Sequence, residues 1–189
     1  PYSSWDAIMH EYGHHVEDCF DFTPPVAGGH SAYDNLIDSG FPRRPDDTSD
    51  YREFGCCLAW AESWPTVFGA MAQEYYSQYL IDIPGVDGPH YTAYNGVEFY
   101  FDGHEHASSD FLDGVVPNYG VSMPRLGEGC EISIACFLYN LHDTTAELWD
   151  PTLSVSHSTM WNYISNSMAK SFSEFHDYIM NTAGLASHR

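Results

Sequence analysis

Apolar residues near the start of the chain recur at helical spacing. Trp5, Ile8, Met9, Tyr12 and Val16 fall at i, i+3, i+4, i+7 and i+11, which predicts an amphipathic first helix. Ser3-x-x-Asp6 reads as its capping box, and Thr23-Pro24-Pro25 with Gly28-Gly29 ends it. A polar loop rich in Pro and Asp runs from Phe41 to Asp50. Residues 51 to 80 read as helical, with Leu58, Ala59, Trp60, Val67, Phe68 and Met71 as core; Pro65 must kink this stretch or open a second helix. Residues 81 to 96 are a Gly/Pro-rich loop, and 97 to 101 alternate weakly enough for a short strand. A glycine-rich stretch through Gly103, Gly114, Gly120, Gly127 and Gly129 leads to a buried segment at 131–141. Further on, Trp161, Ile164 and Met168 share one helical face. Ser171-x-x-Glu174 caps a last helix carrying Phe172, Phe175 and Ile179, with Gly184 just past it. The fold class expected is mainly α, one domain over 1–189 with long loops.

Composition narrows the function classes. A chain of 189 residues, 43% hydrophobic, can build a real core. Six basic residues against 27 acidic ones give a formal charge of −21, and Lys170 is the one lysine. A phosphate backbone needs clustered Lys and Arg, so nucleic acid is not the expected partner. No apolar run approaches 18 residues, so no membrane insertion is expected. Strong acidity, little lysine and much Tyr and Ser suggest a secreted, extracellular protein. The chain opens at Pro1 without an initiator Met or a signal peptide, and so reads as a processed product or a fragment. The five cysteines at 19, 56, 57, 130 and 136 allow at most two internal bridges. Cys56 or Cys57 could be stapled to Cys19 or Cys130.

The chemistry lies in His10-Glu11-Tyr12-Gly13-His14, a His-Glu-x-x-His pattern. Residues four apart on a helix stand one above the other, so both imidazoles can converge on one tetrahedral ion. Glu11 points about 100° around the axis from His10. It suits the proton of a water on that ion better than ligation, which is where a general base belongs. Asp6, His10 and His14 form a polar stripe expected to face a cleft, while the apolar stripe holds the helix in the core. A catalytic zinc takes three protein ligands. Glu62 in Trp60-Ala61-Glu62 is the candidate third, a lone carboxylate among aromatic and small apolar residues whose burial is costly unless a cation offsets it.

His10-Glu11-Tyr12-Gly13-His14-His15-Val16, followed by Ala59-Trp60-Ala61-Glu62, resembles the gluzincin clan of zinc metallopeptidases, above all its extracellular, thermolysin-related members. The segment from Glu131 to Asp143 is similar to that family's buried helix, and 158–180 to its closing helices. The resemblance implies an α+β zincin-like fold, zinc (Zn2+) held by His10, His14 and Glu62, Glu11 as general base, and a protein or peptide substrate. It also implies a sheet ahead of the first helix. Only five residues precede Asp6, so that sheet is absent or on another piece. Where the thermolysin pattern has an Asp orienting the first His, this chain has Thr66; Asp6 or Asp143 could serve instead.

Other residues carry less. His142, His157, Tyr139 and Tyr163 are alternative oxyanion donors. His104-x-His106 reads as a solvated pair before it reads as a second metal site. Calcium at Asp46, Asp47 and Asp50, or at Asp110 and Asp113, fits no known loop spacing. The second functional reading is a structural or adhesive module of an extracellular assembly, in contact with other chains, that retains a zincin scaffold.

Overall fold

The structure, a computed structural model, describes residues 5–26, 49–77, 90–92, 98–100, 128–142 and 154–182. Among them are five helices and one pair of short strands. These are α1 (Trp5–Phe20), α2 (Ser49–Ser77), β1 (His90–Thr92), β2 (Glu98–Tyr100), α3 (Glu131–His142), α4 (His157–Ser167) and α5 (Phe172–Thr182). The fold is mainly helical, as the periodicity predicts. The strands pair antiparallel with His90 opposite Tyr100. β1 falls in a stretch that reads as loop, because three residues are too few for a pattern to show.

α2 is the spine. Pro65 lies inside it and neither ends it nor opens a second helix. α1 runs antiparallel to α2: Asp6 meets Gln73, His10 meets Thr66 and His14 meets Glu62. The two helices nearly touch at Gly13. A Cβ there would stand 2.6 Å from Pro65 Cα and 2.9 Å from Pro65 Cβ, closer than any side chain tolerates. Gly69 gives the second close approach, with 3.4 Å from its would-be Cβ to Met9 Cβ. α3 runs parallel to α2: Ser63 Oγ donates to Glu131 O at 2.9 Å, and farther along Tyr139 OH donates to Glu74 Oε2 at 3.1 Å.

The core forms where α2, α3, α4 and α5 meet, around Trp60, Val67, Leu138, Met160, Ile164, Phe175 and Ile179. Trp60 stacks on Phe175 at 4.8 Å between ring centres, and its Nε1 donates to Ala169 O at 2.9 Å. The indole thus buries its apolar body without stranding its donor. Ser156 caps α4 by accepting from Thr159 N. Ser171 accepts from Glu174 N, and Glu174 reaches back to Lys170 N, the capping box expected of α5. Met168 departs from expectation. It takes the left-handed conformation past α4 (φ 49°) and is 55% exposed, while Met160 fills the core in its place.

α1 buries its polar stripe rather than the middle of its apolar one, whose Val16 is half-buried against the core. Its buried residues are Asp6, His10, Gly13 and Glu17, whereas Ile8 and Tyr12 are 44% and 54% exposed. Buried polar groups are tolerable when each is hydrogen-bonded, and α2 supplies partners: Gln73 Nε2 donates to Asp6 at 2.5 Å. The chain leaves α1 through Asp21, left-handed at φ 54°, and drops Phe22 between Trp64 and Trp161. None of the five cysteines is joined in a disulfide, so the expected staple from Cys56 or Cys57 to Cys19 or Cys130 is not formed. No described helix is long and apolar enough to cross a membrane.

The Gly13 contact makes a prediction. Gly13→Ala drives a methyl into Pro65 backbone and should cost about 1–3 kcal/mol, a melting point several degrees lower. Gly69→Ala meets only ordinary van der Waals contact and gains helix propensity, so its melting point should hold or rise. Thermal unfolding of both variants followed by circular dichroism checks this; equal melting points would contradict the close approach.

Candidate metal centre

Two elements bring the centre together. α1 places His10 and His14 one turn apart, and α2 brings Glu62 across the Gly13–Pro65 contact. His10 Nε2 lies 3.2 Å from Glu62 Oε2, and His14 Nε2 lies 3.1 Å from the same oxygen. The two Nε2 atoms are 3.1 Å apart. The three donor atoms form a nearly equilateral triangle, close enough to hold a metal ion. The three residues expected from the sequence are therefore gathered in one place.

The far nitrogens settle what the near ones offer. Thr66 Oγ1 gives its one hydrogen to Glu62 O at 3.0 Å. At its 3.0 Å contact with His10 Nδ1 it therefore accepts, so His10 carries a proton on Nδ1. His14 Nδ1 faces Glu17 Oε2 at 2.8 Å, and a carboxylate accepts, so His14 also carries a proton on Nδ1. In the neutral rings both Nε2 atoms then present lone pairs, to each other and to the Glu62 carboxylate. Three electron-rich atoms at this separation repel unless a positive charge lies among them.

A proton on His14 can be that charge. Burial of the ring opposes protonation, but hydrogen bonds and charge from Glu17 and Glu62 outweigh it and raise the pKa to about 10. Burial pushes the Glu17 carboxyl the other way from ionisation, up to about 7, although His14 pulls it down. A metal ion can replace the proton. Histidine ligands ordinarily donate their second ring hydrogen to a fixed acceptor, and Thr66 and Glu17 are such acceptors.

Glu11 lies on the exposed side of α1, next to His10, with no hydrogen bond among the described residues. Thr66 stands where the thermolysin pattern has Asp and does orient His10, as a neutral acceptor. Asp6 binds Gln73 instead of a ligand, and Asp143 lies outside the described residues. So do His104, His106, Asp46, Asp47, Asp110 and Asp113; Asp50 falls at the start of α2. The oxyanion candidates do not gather here. Tyr139 and His142 meet Glu74, with His142 Nε2 3.8 Å from its Oε2. His157 lies against His142 at 4.0 Å between ring centres, and Tyr163 packs on the core. Glu74 is twelve residues past Glu62, about 18 Å along a helix. Sequence reasoning missed Glu17. Its signal was the 4-3-4 spacing of Asp6, His10, Gly13 and Glu17, a buried-face rhythm written in polar residues. Comparison with known proteins finds no matching family, no similar curated protein and no similar solved structure.

The sign of the pH dependence follows. His14 holds its proton more tightly in the folded chain, so that stabilisation is whole below pH 6.5 and is lost as pH rises toward 10. Raised Glu17 acts in the same direction. In chelator the melting temperature should fall across this range, and saturating divalent metal should lift it most at the alkaline end. A metal-free melting curve independent of pH would contradict the arrangement.

Proposed function

We propose that this chain is a zinc-dependent metallopeptidase, with Zn2+ held by His10, His14 and Glu62 and Glu11 as general base. The single observation that carries the reading is the triangle of two imidazole nitrogens and one carboxylate oxygen, each imidazole already committed through Nδ1. Tetrahedral bonds of about 2.0–2.1 Å put ligand atoms about 3.3 Å apart, and the separations here are 3.1–3.2 Å. Two nitrogens and one oxygen are also the donor set of a catalytic zinc that keeps one position open. When bound, zinc supplies Lewis acidity toward a carbonyl and makes a water acidic near neutral pH.

The residues divide the remaining work. Glu62 and the two histidines orient, and Thr66 and Glu17 keep the rings from turning. Glu11, solvent-exposed and one residue beyond a ligand, takes the proton of the attacking water and passes it to the departing amine, so the peptide bond breaks to an acid and an amine. β1 lies against both α1 and α2, which supports an extended peptide substrate reaching these helices. The acidic composition supports a secreted setting.

A second reading has its own observation. Ile8, Tyr12 and Phe20 are exposed on α1, and Phe20 is 61% exposed. Apolar residues in such positions suit contact with another chain, as in a metal-stabilised module without activity. One experiment separates the readings. Glu11→Gln should keep about one zinc per chain and lose casein or quenched-peptide hydrolysis by at least about a hundredfold. Hydrolysis unchanged in that variant rejects Glu11 as base; an inert wild type that binds zinc and self-associates favours the module.

A further inference from the structure

Resting on the zinc reading above, we propose that Glu17 is a positioning residue of the centre. It fixes His14 and supplies the second negative charge that, with Glu62, balances a divalent ion. The sequence pattern around His10 and His14 assigns Glu17 no part. Three observations converge on it. Its carboxylate is 5% exposed. Its Oε2 accepts from His14 Nδ1 at 2.8 Å, and among the described residues His14 is its ion-pair partner. Its Oε1 is buried without a hydrogen-bond partner.

A buried carboxylate with one oxygen stranded is costly. Packing does not require it, since an apolar side chain of similar size would fill the space without that cost. The Thr23 side chain favours the ionised form in part; the rest calls for a positive charge nearby, and His14 leads to one. A divalent ion with Glu62 alone leaves the centre with a net +1; Glu17 brings the sum to zero in a low-dielectric setting where imbalance is expensive. Thr66 shows the difference by contrast. It orients His10 through a neutral hydroxyl, so orientation alone needs no carboxylate. Position 17 is also well placed to hold a ring still. It is three residues from His14 on the same helix, and Asp21 N closes onto Glu17 O at 2.7 Å just before the chain turns.

The test measures zinc affinity by competition with a chromophoric chelator, alongside the visible spectrum of the cobalt-substituted protein. Glu17→Gln keeps an acceptor and the shape but removes the charge, so affinity should fall about tenfold. Glu17→Ala removes both, so affinity should fall up to about a hundredfold and the cobalt bands should shift. Asp18→Ala removes the same charge from the exposed neighbouring position and should change neither. If wild-type protein binds no zinc, the zinc reading fails. If wild type binds and both Glu17 variants match it in affinity and spectrum, Glu17 is not a positioning residue and the zinc reading stands. A loss in Asp18→Ala equal to that in Glu17→Gln also overturns the proposal, because net charge then accounts for the effect.

Discussion

The contact between Gly13 and Pro65 is the constraint from which the centre follows. Ligands four apart on α1 can meet a carboxylate on α2 only if the two axes come unusually close. Helices with ordinary side chains between them stay 8–10 Å apart. Here the missing side chain at Gly13 lets α1 rest on proline backbone, and at Gly69, one turn beyond Thr66, the helices remain in ordinary contact. Pro65 suits that position. It lacks an N–H, so the helix surrenders one bond there, and the near backbone of α1 fills the surface that results. Three donor atoms then fall within 3.2 Å of one another.

Burying a polar stripe has consequences along the whole of α1. Each polar residue on that face needs a partner, and α1 or α2 supplies each one. Gln73 serves Asp6, Thr66 serves His10, and Glu17 joins His14. The helix is thus held by a ladder of hydrogen bonds spaced a turn apart as well as by apolar contacts such as Val16 on the core and Phe20 on Trp161. Such a network specifies register sharply, because a slip of one residue strands every partner. It also sends Ile8 and Tyr12 outward.

The burial of the polar stripe marks the limit of what was legible in the sequence. The helix and the two histidines were legible, because i, i+4 spacing is a local property; the Ser3 cap lies outside the described residues. Glu62 was legible through its incongruity, a lone acid among Trp60, Trp64 and small residues. Which face of α1 is buried was not legible. Periodicity locates two faces but does not say which is covered, and the apolar one normally is. The answer lay in α2, fifty residues away, in the pairing of Gln73, Thr66 and Pro65 with particular positions of α1. Met168 misled for a related reason: periodicity runs past the last turn, whereas its left-handed backbone ends α4.

The direction of α3 bears on what else could act at the centre. Because α3 runs parallel to α2, its first turn stands level with Glu62 and its last turn level with Glu74. Ser63 meets Glu131 at one end, and Tyr139 and His142 meet Glu74 at the other. An antiparallel α3 would have carried those polar rings to the metal ligands; the parallel one carries them away. His142 is further committed by its own contacts, since its Nδ1 donates to Val155 O while Ser154 binds its carbonyl. These bonds make it a clasp between α3 and the approach to α4. Spacing along a chain cannot distinguish a clasp from a catalytic donor, because both call for a polar ring at the end of a buried helix. Helix direction makes the distinction, and here it leaves the chemistry to α1 and the middle of α2.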